Sequence, residues 1–167
     1  MEHHVRPATV LDAQSISTLI LAGSASGVGT EGTSEELNRW RIANATSSKV
    51  LEKINDGART HVLVVESDDV DGLLGTAYVT LLGDHRAHFG GLYCSVRGEG
   101  VGSSLMAGSM EWCKSFFVTS IETEIACRNV EMAILAAKFG FQLESEYVDD
   151  FFPSGHFGRW RSSRSHP

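Results

Sequence analysis

The sequence predicts a single α/β domain of the α+β type, in which mixed strands and helices form layers around one core. Three observations support this fold class. The chain has 167 residues, which is the size of one domain. Hydrophobic residues make up 42% of it and charged residues 21%, as in an ordinary globular protein. Strand-like and helix-like segments are interspersed along the chain without internal repeats or low-complexity tracts.

The first segments are predicted to be a short strand and a helix. Residues 5–9 form an extended piece, and Asp12 can cap a helix that carries its apolar residues on one face. Gly23 would end this helix. Residues 23–34 are crowded with glycine, serine and threonine, so we expect a mobile loop there, long enough to act as a lid.

Two more helices and a strand follow this loop. Thr33 and Glu36 have the spacing of a capping box and predict the start of a second helix. A further helical stretch around 49–55 stops at an Asp-Gly pair. The β-branched run at 61–66 is typical of a strand.

A polar turn at 67–72 joins that strand to a second one at 74–82, which predicts an antiparallel hairpin. The next strand is predicted over 87–93 and contains the pair Gly90-Gly91. Glycines inside a strand usually mark a bulge or a place where another group approaches the backbone closely.

The second half of the chain repeats the alternation of helix and strand. A glycine-rich turn precedes a helix predicted over 103–118. Residues 121–125 alternate between apolar and acidic, which indicates a strand, and the helix after it ends at Gly140. The last elements are two strand candidates around a Pro-Ser-Gly turn, at 143–152 and 156–160.

The charge of the chain argues against binding to nucleic acid. Twenty-one acidic residues against 14 basic ones give a formal net charge of -7, the wrong sign for contacts with phosphate backbones. Acidity of this size would attract cationic small molecules or basic peptides. It is also a common way of keeping a protein soluble, which is the simpler explanation.

Cysteine usage and hydropathy indicate a reduced, cytoplasmic protein. Cys94, Cys113 and Cys127 are odd in number and have none of the short spacings of a zinc or redox motif, so we expect buried thiols and no metal. No apolar stretch reaches the roughly 20 residues that cross a bilayer, and no signal-peptide pattern opens the chain. No membrane partner is therefore expected.

The most informative segment is the turn at 97–102, which lies between a predicted strand and a predicted helix. Its three glycines allow backbone N–H groups to converge, and the helix adds its free N–H groups and the positive end of its dipole. Arg97 adds a cation with a fork geometry that suits phosphate oxygens. The spacing matches neither a nucleotide P-loop nor a dinucleotide fingerprint. The turn predicts an anion site, the alternative being a cluster of glycine caps without a ligand.

This turn resembles the acetyl-CoA pyrophosphate motif of the GNAT N-acetyltransferase superfamily, because it has Arg-x-x-Gly-x-Gly opening a helix after the fourth strand. The segments at 5–9 and 73–77 are similar to that superfamily's first and third strands. Asn129 and the pair Gly140-Phe141 resemble the helix of that superfamily that begins at an asparagine and ends in Gly-Phe. The resemblance covers about residues 5–160. It implies an N-acetyltransferase-like domain at 1–161 and a short tail at 162–167.

The resemblance implies a cofactor-binding cleft. In the superfamily the mostly antiparallel sheet splays between strands 4 and 5, is flanked by helices, and holds the pantetheine arm of acetyl-CoA in the gap. The backbone contacts of strand 4 would be Gly90 and Leu92 in one register, or Leu92 and Cys94 if the register slides by two residues, so Leu92 serves in both. The residues expected to bind acetyl-CoA here are Leu92, Cys94, Arg97, Gly98, Glu99, Gly100, Val101, Gly102, Ser103 and Asn129.

The resemblance also implies direct attack of an amine on the thioester, without an acyl-enzyme. The superfamily often supplies a tyrosine acid seven residues after the asparagine, but this position is Ala136. We therefore expect another donor, with Tyr147 and Tyr93 as candidates beside solvent. On strand 4, residues 86, 88, 90 and 92 share one face, so His88 could point into the cleft as the base. The alternative is a histidine that faces solvent.

The resemblance thus implies an acyltransferase that moves an acetyl group from acetyl-CoA, as co-substrate, to a primary amine in a ternary complex. The amine would be a small molecule or a peptide, contacted mainly by the segments at 24–40 and 149–160. The alternatives are a non-catalytic acyl-CoA-binding sensor or interaction module on the same fold, and an unrelated anion-binding protein. A homodimer is compatible with the resemblance, since dimers are common in that superfamily.

Overall fold

The computed structural model describes residues 2–26, 35–149 and 156–163. It contains seven strands and five helices within these ranges, in an order that matches the predicted α+β class. The strands are β1 (His4–Pro7), β2 (Thr60–Ser67), β3 (Val70–Gly83), β4 (Arg86–Cys94), β5 (Ser120–Ala126), β6 (Gln142–Val148) and β7 (His156–Ser163). The helices are α1 (Ala13–Ser26), α2 (Glu35–Asn44), α3 (Ser47–Asn55), α4 (Val101–Ser115) and α5 (Val130–Lys138).

All seven strands form one sheet in the order β1-β2-β3-β4-β5-β7-β6. Among the described strands, β4 and β5 form the single parallel pair, and the other pairs are antiparallel. β4 and β5 pair over three residues only, from Arg86 to His88 on β4 and from Ser120 to Glu122 on β5. Beyond His88 the two strands separate, so the predicted gap between strands 4 and 5 is present.

Helices cover both faces of the sheet. On the back face, α4 and α5 bury apolar side chains against β2 to β5, with Phe89, Leu105 and Met106 in the centre of this core. On the front face, α1 and α3 pack on β2 through Ile16 and Val50. The second helix α2 covers β5 and β7 through a smaller cluster. The gap between β4 and β5 therefore opens between two helical layers.

A β-bulge interrupts β4 where the sequence has its two glycines. Thr76 of β3 pairs with Tyr93, and Tyr78 pairs with Gly90, so two residues of β4 stand opposite one residue of β3. The extra residue reverses the alternation of the strand. Leu92 therefore packs on the back-face core with Phe89, and the predicted sharing of one face by residues 86, 88, 90 and 92 is wrong at position 92.

Both glycines of this bulge are required by the ring of Tyr78. A Cβ atom on Gly91 would overlap the Tyr78 ring, and Gly91 has a φ of 60°. A Cβ on Gly90 would lie 2.9 Å from Cε1 of His88 and 3.1 Å from the Tyr78 hydroxyl oxygen. The group that was expected to approach the glycine pair closely is thus the phenol of Tyr78, with His88 beside it.

The start of α1 is held by an ion-pair cluster. Asp12, predicted as a helix cap, ends a short 3-10 turn and accepts a hydrogen bond of 2.7 Å from the N–H of Thr9. Arg6 donates two hydrogen bonds to Asp12, at 2.8 and 2.9 Å, and a third to Glu66. Since Arg6 lies on β1 and Glu66 on β2, the cluster joins the first helix to the edge of the sheet.

Some boundaries differ from the prediction. α1 continues past Gly23 to Ser26 because neither a left-handed residue nor proline stops it there. β7 runs to Ser163, two residues beyond the predicted end of the domain. The expected lid, the Thr33 cap and the Pro-Ser-Gly turn fall wholly or largely outside the described residues. In the described part of the chain, no helix is long and apolar enough to span a membrane.

Candidate active site

A cleft of about 740 Å³ passes through the gap between β4 and β5. Its front wall comes from α1 to α3, and its back wall comes from the N-terminal end of α4 and from α5. All three tyrosines of the chain line it, namely Tyr78, Tyr93 and Tyr147. The gap therefore joins the glycine turn on one side of the sheet to a set of phenols and a histidine on the other.

The glycine turn forms one end of this cleft. Gly98 and Gly100 have φ values of 76° and 81°, in the left-handed region that favours glycine, and Gly100 caps α4. The N–H of Ser104 donates to the Gly100 carbonyl at 3.0 Å, so the helical bonding pattern begins there. The N–H groups of residues 101–103 have no acceptor within the helix. They form the positive end of the helix dipole, which favours an anion.

Most of the residues predicted to bind acetyl-CoA line the cleft. Glu99 is exposed and does not line it. Those that do are Leu92, Cys94, Arg97, Gly98, Gly100, Val101, Gly102, Ser103 and Asn129.

The guanidinium of Arg97 forms an ion pair with Glu131 at the start of α5. Nη1 of Arg97 donates to Oε1 of Glu131 at 3.1 Å, and both side chains are substantially exposed. An ion pair of this exposure contributes little stability. Arg97 therefore stands at the mouth of the turn with a carboxylate that a bound phosphate would have to compete with.

Asn129 caps the helix on the other side of the gap. Its Oδ1 accepts a hydrogen bond of 3.1 Å from the N–H of Met132, so Asn129 is the N-cap of α5. The side-chain NH₂ group keeps two donors, and Asn129 lines the cleft. Capping a helix and donating to a ligand are thus compatible for this side chain.

Cys94 lines the cleft as a protonated thiol. Burial raises its pKa to about 11, because a thiolate would be poorly solvated there. A thiol with such a pKa is a poor nucleophile near neutral pH. The expectation that the thiols are buried holds for Cys113 and is wrong for Cys127, which is exposed.

His88 is the last residue of β4 that pairs with β5. It is half-buried and lies on the wall of the cleft. Burial lowers its pKa, and the carboxylates of Glu124 and Glu122 oppose this shift. The imidazole is therefore neutral at physiological pH and can accept a proton. The alternative that His88 faces solvent does not fit its position in the cleft.

Tyr147 of β6 is held by a carboxylate of β5, two strands away in the sheet. Its phenol hydrogen-bonds Glu124, and burial together with this bond raises the pKa of Tyr147 far above its usual value. The ring packs on Phe157 with a centroid distance of 6.0 Å. Tyr147 is therefore a fixed, protonated group on the front wall.

Tyr78 is a cleft residue that sequence reasoning did not identify. Burial raises its pKa, and its hydroxyl lies about 6 Å or less from Cε1 of His88, since both contact the Cβ position of Gly90. The same shift affects Tyr93, whose ring is buried nearby. The signal for Tyr78 was the glycine pair, but only the strand register shows which aromatic ring covers it.

Ala136 lies in the core and does not line the cleft. Its side chain is fully buried in the back-face core, among residues that pack against α5. α5 lines the cleft with Glu131, Met132, Leu135 and Lys138, of which Met132 and Leu135 cannot donate a proton.

A separate group of side chains lies at the ends of β5, β6 and β7. Cys127, Glu146 and His156 are exposed, and one ligand atom from each lies within 4.8 Å of the others. The sequence contains no spacing that indicates this proximity, because the three residues come from different strands. The predicted absence of a metal stays a prediction.

Comparison with known proteins identifies the family. The model of the acetyltransferase (GNAT) family matches residues 30–141, well over half of the chain. This chain belongs to the GNAT acetyltransferase family. The seven-stranded sheet with its parallel β4–β5 pair is the GNAT fold, as the sequence resemblance implied. No protein of curated function matches the chain.

Solved GNAT-like structures share this architecture at low sequence identity. PaiA N-acetyltransferase of Thermoplasma acidophilum, in complex with coenzyme A, superposes with a TM-score of 0.76, 16% identity and coverage of 98% of this chain and 100% of that one. YncA of Salmonella typhimurium, solved with its cofactor acetyl-CoA, has a TM-score of 0.77, 15% identity and coverage of 98% and 95%. The ribosomal-protein-S5-alanine acetyltransferase of Vibrio fischeri superposes with a TM-score of 0.74 and 16% identity, and the match covers 98% of this chain and 93% of that one.

Proposed function

We propose that this protein is an N-acetyltransferase that moves an acetyl group from acetyl-CoA to a primary amine by direct attack in a ternary complex. The observation that carries the proposal is the continuous cleft, which runs from the glycine turn through the β4–β5 gap to His88 and the tyrosines. Such a cleft allows a long anionic cofactor and an amine to approach from opposite faces of the sheet.

The residues at the turn suit a pyrophosphate. Left-handed glycines at 98 and 100 aim backbone N–H groups at one point, and the dipole of α4 favours negative charge there. Arg97 would exchange its partner Glu131 for a phosphate oxygen. The unpaired edge of β4 beyond His88, at Leu92 and Cys94, supplies backbone groups for amide bonds of a pantetheine arm.

We assign the base to His88. When bound, acetyl-CoA would supply the acyl group as an activated thioester. The neutral imidazole of His88, directly or through a water, would take a proton from the substrate ammonium, and the free amine would then attack the thioester carbonyl as the CoA thiolate leaves. His88 is the last residue of β4 that pairs with β5, so it lies where the gap between these strands begins.

We assign the acid to Tyr78, with Tyr147 as the second candidate. Both phenols stay protonated because their pKa values are raised. The hydroxyl of Tyr78 lies over the bulge of β4, whereas that of Tyr147 already donates to Glu124. A protonated donor above the bulge can return a proton to the leaving thiolate.

The test is a screen of primary amines with acetyl-CoA in which the released CoA thiol is measured, together with calorimetry of CoA binding. We expect micromolar to millimolar CoA binding and thiol release with at least one amine. Absence of CoA binding at millimolar ligand would remove the proposal. Binding without thiol release would favour a non-catalytic acyl-CoA sensor, which the apolar Met132 and Leu135 also suit.

A further inference from the structure

The front wall of the cleft carries a cation that no described group pairs with. Arg41 lies on α2 and lines the cleft, and its Nη1 is a buried donor without a hydrogen-bond partner in the described part of the chain. A buried donor of a charged group destabilises the protein when it lacks an acceptor. A ligand that enters the cleft can supply the missing acceptor.

No ion pair between Arg41 and a carboxylate is present among residues 2–26, 35–149 and 156–163. Tyr78 and Tyr93 lie close enough for the charge of Arg41 to affect their pKa values, and both are protonated phenols. The carboxylates that line the cleft have other partners. Glu131 pairs with Arg97, Glu124 with Tyr147 and Arg159, and Asp149 is also engaged.

A second cation stands on the same wall. The ammonium of Lys53, on α3, lies 5.1 Å from the centre of the Tyr78 ring, and this residue also lines the cleft. Burial lowers its pKa, because the charged form is poorly solvated there. Arg41 and Lys53 thus make a locally positive wall on a chain whose net charge is -7.

We propose that Arg41 binds a carboxylate of the acetyl acceptor, so that the acceptor is an amine that also carries a carboxylate, of the free amino acid class. This inference rests on the proposed acetyl transfer and names its substrate class. The planar fork of a guanidinium matches the two oxygens of a carboxylate, and Lys53 adds a point charge. The amine of the same molecule then faces His88 across the cleft.

The test compares matched acceptors. Free amino acids, their C-terminal amides and the corresponding decarboxylated amines are assayed with acetyl-CoA on the native chain and on Arg41→Ala. We expect kcat/KM of the native chain to be about 10²-fold higher for the amino acid than for its neutral analogues. In Arg41→Ala this preference should disappear, because kcat/KM for the amino acid falls towards that for its neutral analogues, while the KM for acetyl-CoA stays unchanged.

Two further variants separate the role of the fork from general effects. Arg41→Lys keeps the charge but loses the fork, so it should recover only part of the preference. Arg39→Ala is the matched control, because Arg39 is an exposed arginine on the same helix, and its kinetics should equal those of the native chain. Thermal shift by an N-acetyl amino acid, but not by its amide, gives a readout that does not require turnover, and Arg41→Ala should abolish it.

Several results would overturn the inference. One is an equal kcat/KM of the native chain for amino acids and their decarboxylated amines. Another is a loss of kcat/KM in Arg41→Ala that is the same for every amine and is accompanied by a change in the KM for acetyl-CoA. A peptide acceptor that is preferred over the free amino acid despite its distant carboxylate would also overturn it. If no amine releases thiol, the acetyl transfer itself fails, which is a different result from transfer without a carboxylate preference.

Discussion

His88 is the residue on which proton abstraction depends in our proposal. We expect His88→Ala to lower kcat by about 10²–10⁴-fold, because the proposed base is lost. The affinity for CoA should stay nearly unchanged, because His88 is not part of the glycine turn that is proposed to bind the pyrophosphate. The measurement is steady-state kinetics beside calorimetry. His156→Ala, which removes an exposed histidine, is the control. Unchanged turnover in His88→Ala would remove it from the mechanism.

The pH profile gives an independent check on His88. Burial lowers its pKa, so the neutral base persists below the usual histidine range, and activity should fall only at more acidic pH. Glu122 raises this pKa, so Glu122→Gln should move the acidic limb of kcat/KM to lower pH. Glu122 is preferable to Glu124 for this test, because Glu124 also binds Tyr147. A limb that moves to higher pH would contradict the assignment.

Two tyrosines compete for the role of general acid, and matched substitutions separate them. Tyr78→Phe keeps the ring that covers the bulge and removes the hydroxyl above it. We expect it to lower kcat by roughly 10²-fold. Tyr147→Phe frees Glu124 and should have the smaller effect on kcat. If the order of the two effects is reversed, Tyr147 is the acid.

Arg97 and Glu131 should have opposite effects on cofactor affinity. Arg97→Ala removes a cation from the proposed pyrophosphate site, so the Kd for CoA should rise about tenfold. Glu131→Gln removes the carboxylate that competes for Arg97, so the same Kd should fall by a few-fold. Calorimetry at low and high salt measures both. Equal CoA affinity in all three proteins would indicate that the anion binds elsewhere.

At the scale of single elements, the bulge of β4 is the feature that shapes the cleft. We expect Gly91→Ala to destabilise the protein by more than about 2 kcal/mol, because it combines a positive φ with overlap of the Tyr78 ring. Gly72→Ala is the matched control, since Gly72 has a φ of 95° but nothing within 4 Å of its Cβ position.

Urea denaturation measures both changes in the free energy of unfolding. The control should lose only the cost of the backbone conformation, roughly 1 kcal/mol. If Gly91→Ala and Gly72→Ala lose the same amount, the ring of Tyr78 does not constrain the bulge. A loss of stability in Gly91→Ala alone supports the close packing of ring and backbone.

At the scale of the whole molecule, the cluster of Arg6, Asp12 and Glu66 should determine part of the acid stability. The bonds from Arg6, assisted by Thr9, lower the pKa of the largely buried Asp12 to about 2. A group whose pKa is lower in the folded state stabilises it above the unfolded pKa, near 3.8. This contribution, about 2 kcal/mol, is lost as the pH falls through the folded pKa.

We therefore expect the free energy of unfolding to drop between about pH 4 and pH 2, and Asp12→Asn to remove most of the contribution of Asp12 to that drop. Urea denaturation across this range measures it. Asp68→Asn, on the exposed β2–β3 turn, is the control and should leave the profile unchanged. A profile of Asp12→Asn that parallels the native one would contradict the role of the cluster.

The sequence by itself determined the order of elements, the glycine turn with Arg97, the cap at Asn129 and the family. These features are local, since each depends on the spacing of a few neighbouring residues and on their backbone preferences. The alternation of β4 predicted that His88 faces the cleft, and it does line it, whereas the same alternation was wrong at Leu92. A bulge depends on the partner strand, which the alternation within one strand does not reveal.

Only the tertiary structure decided which side chains meet across the gap. Tyr78 reaches His88 from a neighbouring strand, Arg41 reaches the same cleft from α2, and the core takes up Ala136 where the superfamily often has a tyrosine. These contacts join positions that are far apart in the chain. The contact of Tyr78 with His88 depends on the packing of the Tyr78 ring on Gly90 and Gly91. The physical reason is that burial and pairing are properties of the folded sheet and its helices, and no short stretch of sequence contains them.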